Sequence, residues 1–265
     1  MRLELGPALL FCPADRADRY SKAAERADTV ILDLEDAVAA VDKPAARRAL
    51  IEHPLDSATT IVRISARGTD DHILDLEAVA QTEYRTIMLA KAVDAVGLDE
   101  FDVIALCETA AGVLAAESLA SANHVVGLMW GAEDLVASLG GMSSRRDDGR
   151  YRDVAVQARA RVLLAAGAHG IAAIDAVYLD YADLDGLALE ARDAAAQGFT
   201  ATACVHPSQI ETVRAAYRPS EAEVRHARAV VDAAAANAGV FAFEGRMIDE
   251  PVVHHARRVL QRAGA

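Results

Sequence analysis

Charged residues recur at the ends of short apolar runs in this sequence, a placement that is costly unless the charge has a partner or a task. Asp33, Glu35 and Asp36 close the run Thr29–Leu34, and Arg63 lies inside Thr60–Ile64. Lys91 follows Thr86–Ala90, Glu108 follows Asp102–Cys107, Glu133 and Asp134 follow His124–Trp130, and His206 follows Ala201–Val205. Taken singly, each reads as well as a helix cap or a rim salt bridge. Taken together, so many carboxylates on one rim would repel one another unless a cation sat among them. Oxygen donors without His or Cys suit a hard divalent ion. Magnesium fits best, because it typically takes one or two carboxylates and completes its shell with water and substrate oxygens. Glu108 and Asp134 are the expected direct ligands, since the small neighbours Thr109-Ala110-Ala111 and Gly131-Ala132 leave room for a bound molecule. Asp33, Glu35 and Asp36 would hold metal-bound waters or orient other groups. The bland alternative for that acidic run is helix capping with a salt bridge to Lys43 or Arg47.

Arg63 inside an apolar strand needs an anionic partner, and its planar fork suits a substrate carboxylate better than a lysine would. A salt bridge to Glu35 or Asp36 is the structural alternative, and the two roles can coexist. Backbone N–H groups around Ala132, Glu133 and Asp134 would open the next helix and could bind the same carboxylate. His206 stands before Pro207 with no nucleophile or orienting acid beside it, which favours fixing a turn over catalysis. The Gly-Ala-Glu-Asp and Gly-Gly-Met-Ser-Ser stretches lack the spacing of a dinucleotide or P-loop fingerprint.

The elements that must position these residues follow from periodicity. Eight Val-, Ile- and Leu-rich runs alternate with Ala-rich helical stretches: Ala8–Cys12, Thr29–Leu34, Thr60–Ile64, Thr86–Ala90, Asp102–Cys107, His124–Trp130, Ala173–Leu179 and Ala201–Val205. Strand-helix alternation implies parallel βαβ units, and eight of them favour an α/β fold of the (β/α)8 TIM-barrel type, whose sites are built at the C-terminal strand ends. Helices are expected at Tyr20–Arg26, Lys43–Ile51, Asp70–Thr82, Ala111–Ser121, Asp153–Ala166, Leu184–Gln197 and Pro207–Ala216. Only Lys91–Phe101 joins the fourth and fifth strands, so that crossover helix is a single turn or missing. Beyond Pro219 the pattern changes to a helix from Ser220 to about Ala238, a connector Gly239–Phe243, and a last helix from Glu250 to about Ala263. Residues 1–218 are thus read as the barrel and 219–265 as a C-terminal helical extension.

With 265 residues, 53% of them hydrophobic, the chain can bury a sizeable core as one large domain. Its formal charge of −13 argues against a nucleic-acid or anionic-membrane partner. Met1–Pro7 shows no leader pattern and no apolar run approaches ~18 residues, so a cytoplasmic protein is expected. Cys12, Cys107 and Cys204, odd in number and each within a strand, suit buried hydrophobes; neither disulfides nor a zinc site is expected.

The same residues carry a resemblance. Phe11-Cys12-Pro13-Ala14-Asp15, Asp33-Leu34-Glu35-Asp36-Ala37-Val38, Val62-Arg63-Ile64, Glu108-Thr109-Ala110, Gly131-Ala132-Glu133-Asp134-Leu135, His206-Pro207-Ser208-Gln209 and Phe243-Glu244-Gly245-Arg246-Met247-Ile248-Asp249 occur in one order. That order resembles the CitE-like proteins, the citrate lyase beta-subunit-like members of the HpcH/HpaI aldolase superfamily, and in particular their stand-alone mycobacterial, citramalyl-CoA lyase type. The resemblance spans nearly the whole chain. It implies a TIM barrel with a C-terminal helical extension, Mg2+ on Glu108 and Asp134, and a substrate carboxylate on Arg63. It also implies a homotrimer in which the arm brings Asp249 to a neighbour's reacting atoms. By sequence alone Asp249 is simply a good N-cap for the last helix, with Pro251 in its first turn. Ser65 stands where the family commonly has Asn, and Ala90 where Pro often precedes the Lys, which leaves Lys91 a weaker site residue.

The implied chemistry joins or cleaves the bond between a thioester α-carbon and a 2-oxo acid, with an acyl-CoA and a small 2-oxo acid as partners. Asp249, Arg63, Glu35 and Asp36 would be its catalytic set. Arg145, Arg146, Arg150 and Arg152 could serve coenzyme A phosphates, though a solvated charged loop with Asp147, Asp148 and Asp153 explains them as well. Two further classes stay open: a citrate lyase subunit acting on a carrier-bound citryl thioester, and a non-catalytic barrel serving assembly.

Overall fold

In the computed structural model, which describes residues 5–237 and 239–264, eight parallel strands close into a barrel in chain order. They are β1 (Ala8–Pro13), β2 (Thr29–Asp33), β3 (Thr60–Ile64), β4 (Thr86–Leu89), β5 (Asp102–Cys107), β6 (Val125–Trp130), β7 (Ala172–Asp175) and β8 (Ala201–Cys204), with β8 paired back to β1. The runs are continuous rather than alternating because both strand faces are covered. Inside, Leu9, Ile31, Ile61, Met88, Ile104, Met129 and Ile174 meet the small Ala201 and Ala203 in one buried cluster. Each large side chain removed from water there contributes about 1.5–3 kcal/mol.

Outside lie α1 (Tyr20–Arg26), α2 (Lys43–Glu52), α3 (Asp70–Val79), α4 (Ala110–Ala120), α5 (Ala132–Ser138), α6 (Asp153–His169), α7 (Leu184–Gln197) and α8 (Ile210–Tyr217). Local signals set their ends: Thr109 caps α4 by accepting from the Gly112 N–H at 3.0 Å, and Gly170 ends α6 in the left-handed conformation. No helix occupies the β4–β5 connection, Lys91–Phe101. The three cysteines are buried.

Two expectations need correction. The seventh strand stops at Asp175 instead of reaching Leu179. Asp175 is tied there by the Trp130 indole N–H at 2.6 Å and by Arg159 at 2.8 and 3.0 Å. The chain beyond it leaves the ladder and carries Val177 and Leu179 to the barrel mouth. The connector before the last helix is instead a hairpin, β9 (Phe241–Phe243) with β10 (Arg246–Ile248). Its two-residue turn, Glu244-Gly245, has φ +47° and +75°, as a tight hairpin turn requires.

The chain divides into two compact units, Met1–Val213 and Arg214–Ala265, the divide falling within α8. In the second unit, α9 (Glu221–Ala236) starts from a Ser220/Glu223 capping box. With the hairpin and α10 (Glu250–Arg262) it buries Ala227, Val230, Ile248, Val253 and Ala256. Met1–Glu4 and Ala238, the latter where the sequence places the end of the arm's first helix, lie outside the described residues. No described helix is long and apolar enough to cross a membrane.

Candidate active site

Register explains the first half of the site. Asp33 and Arg63 are paired neighbours on β2 and β3, so their side chains rise side by side from the same level of the sheet. Arg63 donates from Nε to Asp33 Oδ1 at 2.7 Å and from Nη2 to Oδ2 at 2.5 Å, a bidentate pair that is almost wholly buried. Its third nitrogen, Nη1, stands 3.4 Å from Glu35. Phe11 lies against the guanidinium, 4.9 Å from the ring centroid. The main partner of Arg63 is therefore Asp33, not Asp36. Asp33 also accepts from the N–H groups of Glu35 and Ala37 at 2.9 and 3.2 Å, which shapes the turn carrying Glu35 and Asp36. Lys43 and Arg47 do not reach this run. They pair with Asp71 and, for Arg47, with the buried Asp75, whose other oxygen accepts from the Ser65 N–H at 2.9 Å. Lys43 also donates to the Ser65 hydroxyl, so Ser65 is held on two sides.

The second half is built on β5 and β6. Cys107 pairs with Trp130, so Glu108 and Gly131 stand opposite each other just past the strands. A β-carbon on Gly131 would sit 2.9 Å from that of Glu108, so only glycine allows the two ends this close. The buried Glu108 accepts from the Lys91 N–H at 3.0 Å. Burial, and then the charge of Asp134, push its carboxyl up to about 8. Among the described residues no Lys or Arg is ion-paired with Glu108 or Asp134. Two acidic groups this close, with no ion-pair partner and only the charge of Arg63 to offset them, are the donor set a hard cation would satisfy. No three His, Cys, Asp or Glu side chains among the described residues form a metal cage. An ion here would rest on these two and take its other ligands from water and substrate, as magnesium does.

Both halves open on one cavity of about 270 Å3, lined by Arg63, Asp33, Glu108, Ala132, Glu133 and Asp134 on its polar side and by Phe11, Leu106, Met129, Val177, Leu179 and Val205 on its apolar side. Glu133 lines it, yet its carboxylate accepts from the Ser144 hydroxyl at 2.5 Å. Lys91, discounted in the sequence, is central: its ammonium meets Glu35 and Asp36, the latter at 2.9 Å. Burial raises Glu35 against the pull of Arg63 and Lys91. In Asp36 partial burial is outweighed by the bond from Lys91, and its carboxyl is lowered.

Other residues singled out in the sequence lie elsewhere or are already engaged. His206 fixes the turn before α8: its Nδ1 accepts from the Ser208 N–H at 3.2 Å, and Gln209 Oε1 accepts from its N–H at 3.1 Å. In the arginine-rich loop Arg146 pairs with Asp153 and Arg150 with Asp148 at the surface, whereas Arg145 pairs with Glu190 of α7 and lies over Tyr151 and Tyr178. Asp249 caps α10, accepting from the Val252 N–H at 3.3 Å. The sequence reading missed Asp175 and Arg159, which tie the end of β6 to α6. A lone Arg on the otherwise small-residue face of Asp153–Ala166 was the available signal.

A closed eight-stranded α/β barrel with an acidic, arginine-bearing mouth defines a TIM-barrel enzyme architecture. The chain belongs to the HpcH/HpaI aldolase/citrate lyase family, whose model matches residues 8–96 and 90–207. It is 58% identical to a citrate lyase subunit beta-like protein of Mycobacterium tuberculosis, over 98% of this chain and 96% of that one. It is 34% identical to the citrate lyase subunit beta of Escherichia coli, over 97% and 92%. It also matches the crystal structure of CitE from M. tuberculosis in complex with magnesium, acetoacetate and coenzyme A, with a TM-score of 0.95, 57% identity, and 98% and 99% coverage.

Proposed function

We propose that this protein is a magnesium-dependent carbon–carbon lyase that cleaves, or forms, a short 3-hydroxyacyl-CoA such as citramalyl-CoA, giving acetyl-CoA and a 2-oxo acid. The observation that carries this reading is Glu108 beside Asp134, two acidic groups without an ion-pair partner in the same cavity as an anchored Arg63. The match to CitE, crystallised with magnesium, acetoacetate and coenzyme A, supports it. Glu108 and Asp134 would hold the ion. Bound there, it would supply charge neutralisation and Lewis-acid polarisation of the oxygen that becomes the keto group.

The chain's own residues do the positioning. Arg63, locked by Asp33, turns its remaining N–H donors to a substrate carboxylate that the N–H groups of Ala132, Glu133 and Asp134 also face. Glu35 and Asp36, bridged by Lys91, orient groups around that anchor. The apolar wall of Val177, Leu179 and Val205 excludes water and accepts a small alkyl substituent. Asp249, delivered by the 219–265 arm of a neighbouring subunit in a homotrimer, takes the hydroxyl proton as the carbon–carbon bond breaks. The electron pair left on the thioester α-carbon delocalises as an enolate. The protein would work in the cytoplasm.

Identity to the E. coli citrate lyase subunit beta favours one second reading, a subunit acting on a carrier-bound citryl thioester. Purified protein incubated with citramalyl-CoA and Mg2+ separates the two. Pyruvate release that EDTA abolishes supports the autonomous lyase. Turnover only of a carrier-bound citryl thioester, in the presence of partner subunits, supports the second, and inertness toward both leaves a non-catalytic barrel.

A further inference from the structure

Lys91 stands where the two halves of the mouth meet, and its backbone is unusual. Its φ is +50°, and among the described non-glycine residues only Glu244 in the hairpin turn shares the left-handed region. A β-carbon there crowds the following carbonyl, so such a residue stays only where its surroundings hold it. The chain on either side is tied down. The Ala90 N–H donates to Ile64 O at 3.2 Å and the Ala92 N–H to Leu106 O at 3.0 Å. The Ala92 carbonyl lies so close to α4 that a β-carbon on Gly112 would be 2.5 Å from it. Between these ties the left-handed turn aims the Lys91 N–H at Glu108 Oε1, while its ammonium reaches back to Glu35 and Asp36.

We propose that Lys91 is a positioning residue for Glu108: the ion pairs of its ammonium with Glu35 and Asp36 hold its backbone left-handed, and that backbone holds the Glu108 carboxylate in place. The inference rests on the reading of Glu108 as a magnesium ligand. It links the acidic pair on the β2 side to the carboxylate on the β5 side through one residue's conformation, in addition to any effect of charge. It also gives a reason for a lysine on a connection too short for a helix, where a solvated lysine would suffice if only a charged rim were needed.

The test is the Mg2+ affinity of the purified full-length chain by titration calorimetry, with melting temperature measured alongside. K91G, K91N, K91A and K91M all remove the ammonium, so its electrostatic effect is common to them. Glycine adopts the left-handed region without penalty and asparagine tolerates it, whereas alanine and methionine do not. K91G and K91N should bind Mg2+ about five- to tenfold more tightly than K91A and K91M. If all four bind equally, whether or not their melting temperatures differ, the flanking hydrogen bonds alone hold the turn and the proposal is overturned. E35Q combined with D36N should weaken Mg2+ binding more in the wild-type chain than in a chain carrying K91G, because only the former has an ammonium to release; equal losses would also overturn it. A wild-type chain with no Mg2+ affinity would instead remove the reading of Glu108 on which the inference stands.

Discussion

On the β2–β3 side of the barrel mouth, Asp33 and Arg63 meet as opposite charges in a bidentate pair, with Glu35, Asp36 and Lys91 closing a network around them. On the β5–β6 side, two like acidic groups, Glu108 and Asp134, meet, and Glu108, raised to about 8, is drawn back only by the charge of Arg63 and a backbone N–H. The same barrel rim thus holds one half whose charges are paired within the protein and one half that, on the proposed reading, a cation would complete. Removing a partner from the first leaves a buried charge uncompensated, whereas removing one from the second relieves a repulsion. Activity should therefore be lost on either side, while metal-free stability responds in opposite senses.

The largest effect belongs to the like-charged half. Glu108→Ala or Asp134→Ala should abolish Mg2+-dependent turnover and Mg2+ binding, while the metal-free melting temperature stays level or rises. Unchanged metal affinity in both variants would mean that other carboxylates hold the ion. Arg63→Ala inverts the pattern. It strands Asp33 at 1% side-chain exposure and should cost about 3–5 kcal/mol in denaturant unfolding, in addition to lost activity. A stability loss near zero would show that Asp33 is satisfied by its turn N–H groups alone, and the contrast between the halves would collapse.

A third change asks whether both halves suffice without the arm. Asp249→Asn keeps a good N-cap on α10, so melting should barely move, yet turnover should fall ~10²-fold if Asp249 is the base. Mixing this variant with Arg63→Ala should restore part of the activity once subunits exchange, because some interfaces then combine an intact Asp249 with an intact Arg63. Confirmed exchange without recovery would leave Asp249 as a cap only.

What the sequence could reveal follows the same division. The strands were legible because each is a short buried run, and the mouth was legible because its charges stand at the ends of those runs. Which charge meets which was not. Asp33 pairs with Arg63 through strand register, and Lys43 pairs with Asp71 because two helices bring them together, and neither relation is local in sequence. What Lys91 contacts was out of view for a related reason: a positive φ and a backbone N–H directed at Glu108 are not encoded by residue identity. The hairpin before α10 had a local signal, Glu244-Gly245 between Phe241–Phe243 and Arg246–Ile248, which the expected connector Gly239–Phe243 stops short of.

The smallest effect is also the one most specific to the like-charged half. Glu108 is raised by burial and by Asp134 to about 8, well above the range of an unfolded glutamate. In the metal-free protein the folded state therefore binds a proton that the unfolded state releases between about pH 4.5 and 8. The stability this contributes is fully present below the unfolded pKa and is lost as pH rises through the folded one. Mg2+ has to displace that proton, so its affinity should rise about tenfold per pH unit below 8 and level off above it, with proton release on binding falling away over the same range. The stabilisation by a fixed Mg2+ concentration should accordingly be larger at pH 8 than at pH 6. Glu108→Gln supplies the control, because a neutral amide has no proton to lose: the alkaline loss of metal-free stability should flatten and the Mg2+ response should vanish. Calorimetry in two buffers of different ionisation enthalpy reads the released proton directly. A pH-independent affinity between 6 and 8 would show that Glu108 is already ionised without metal, and that the β5–β6 side is neutralised by some other group.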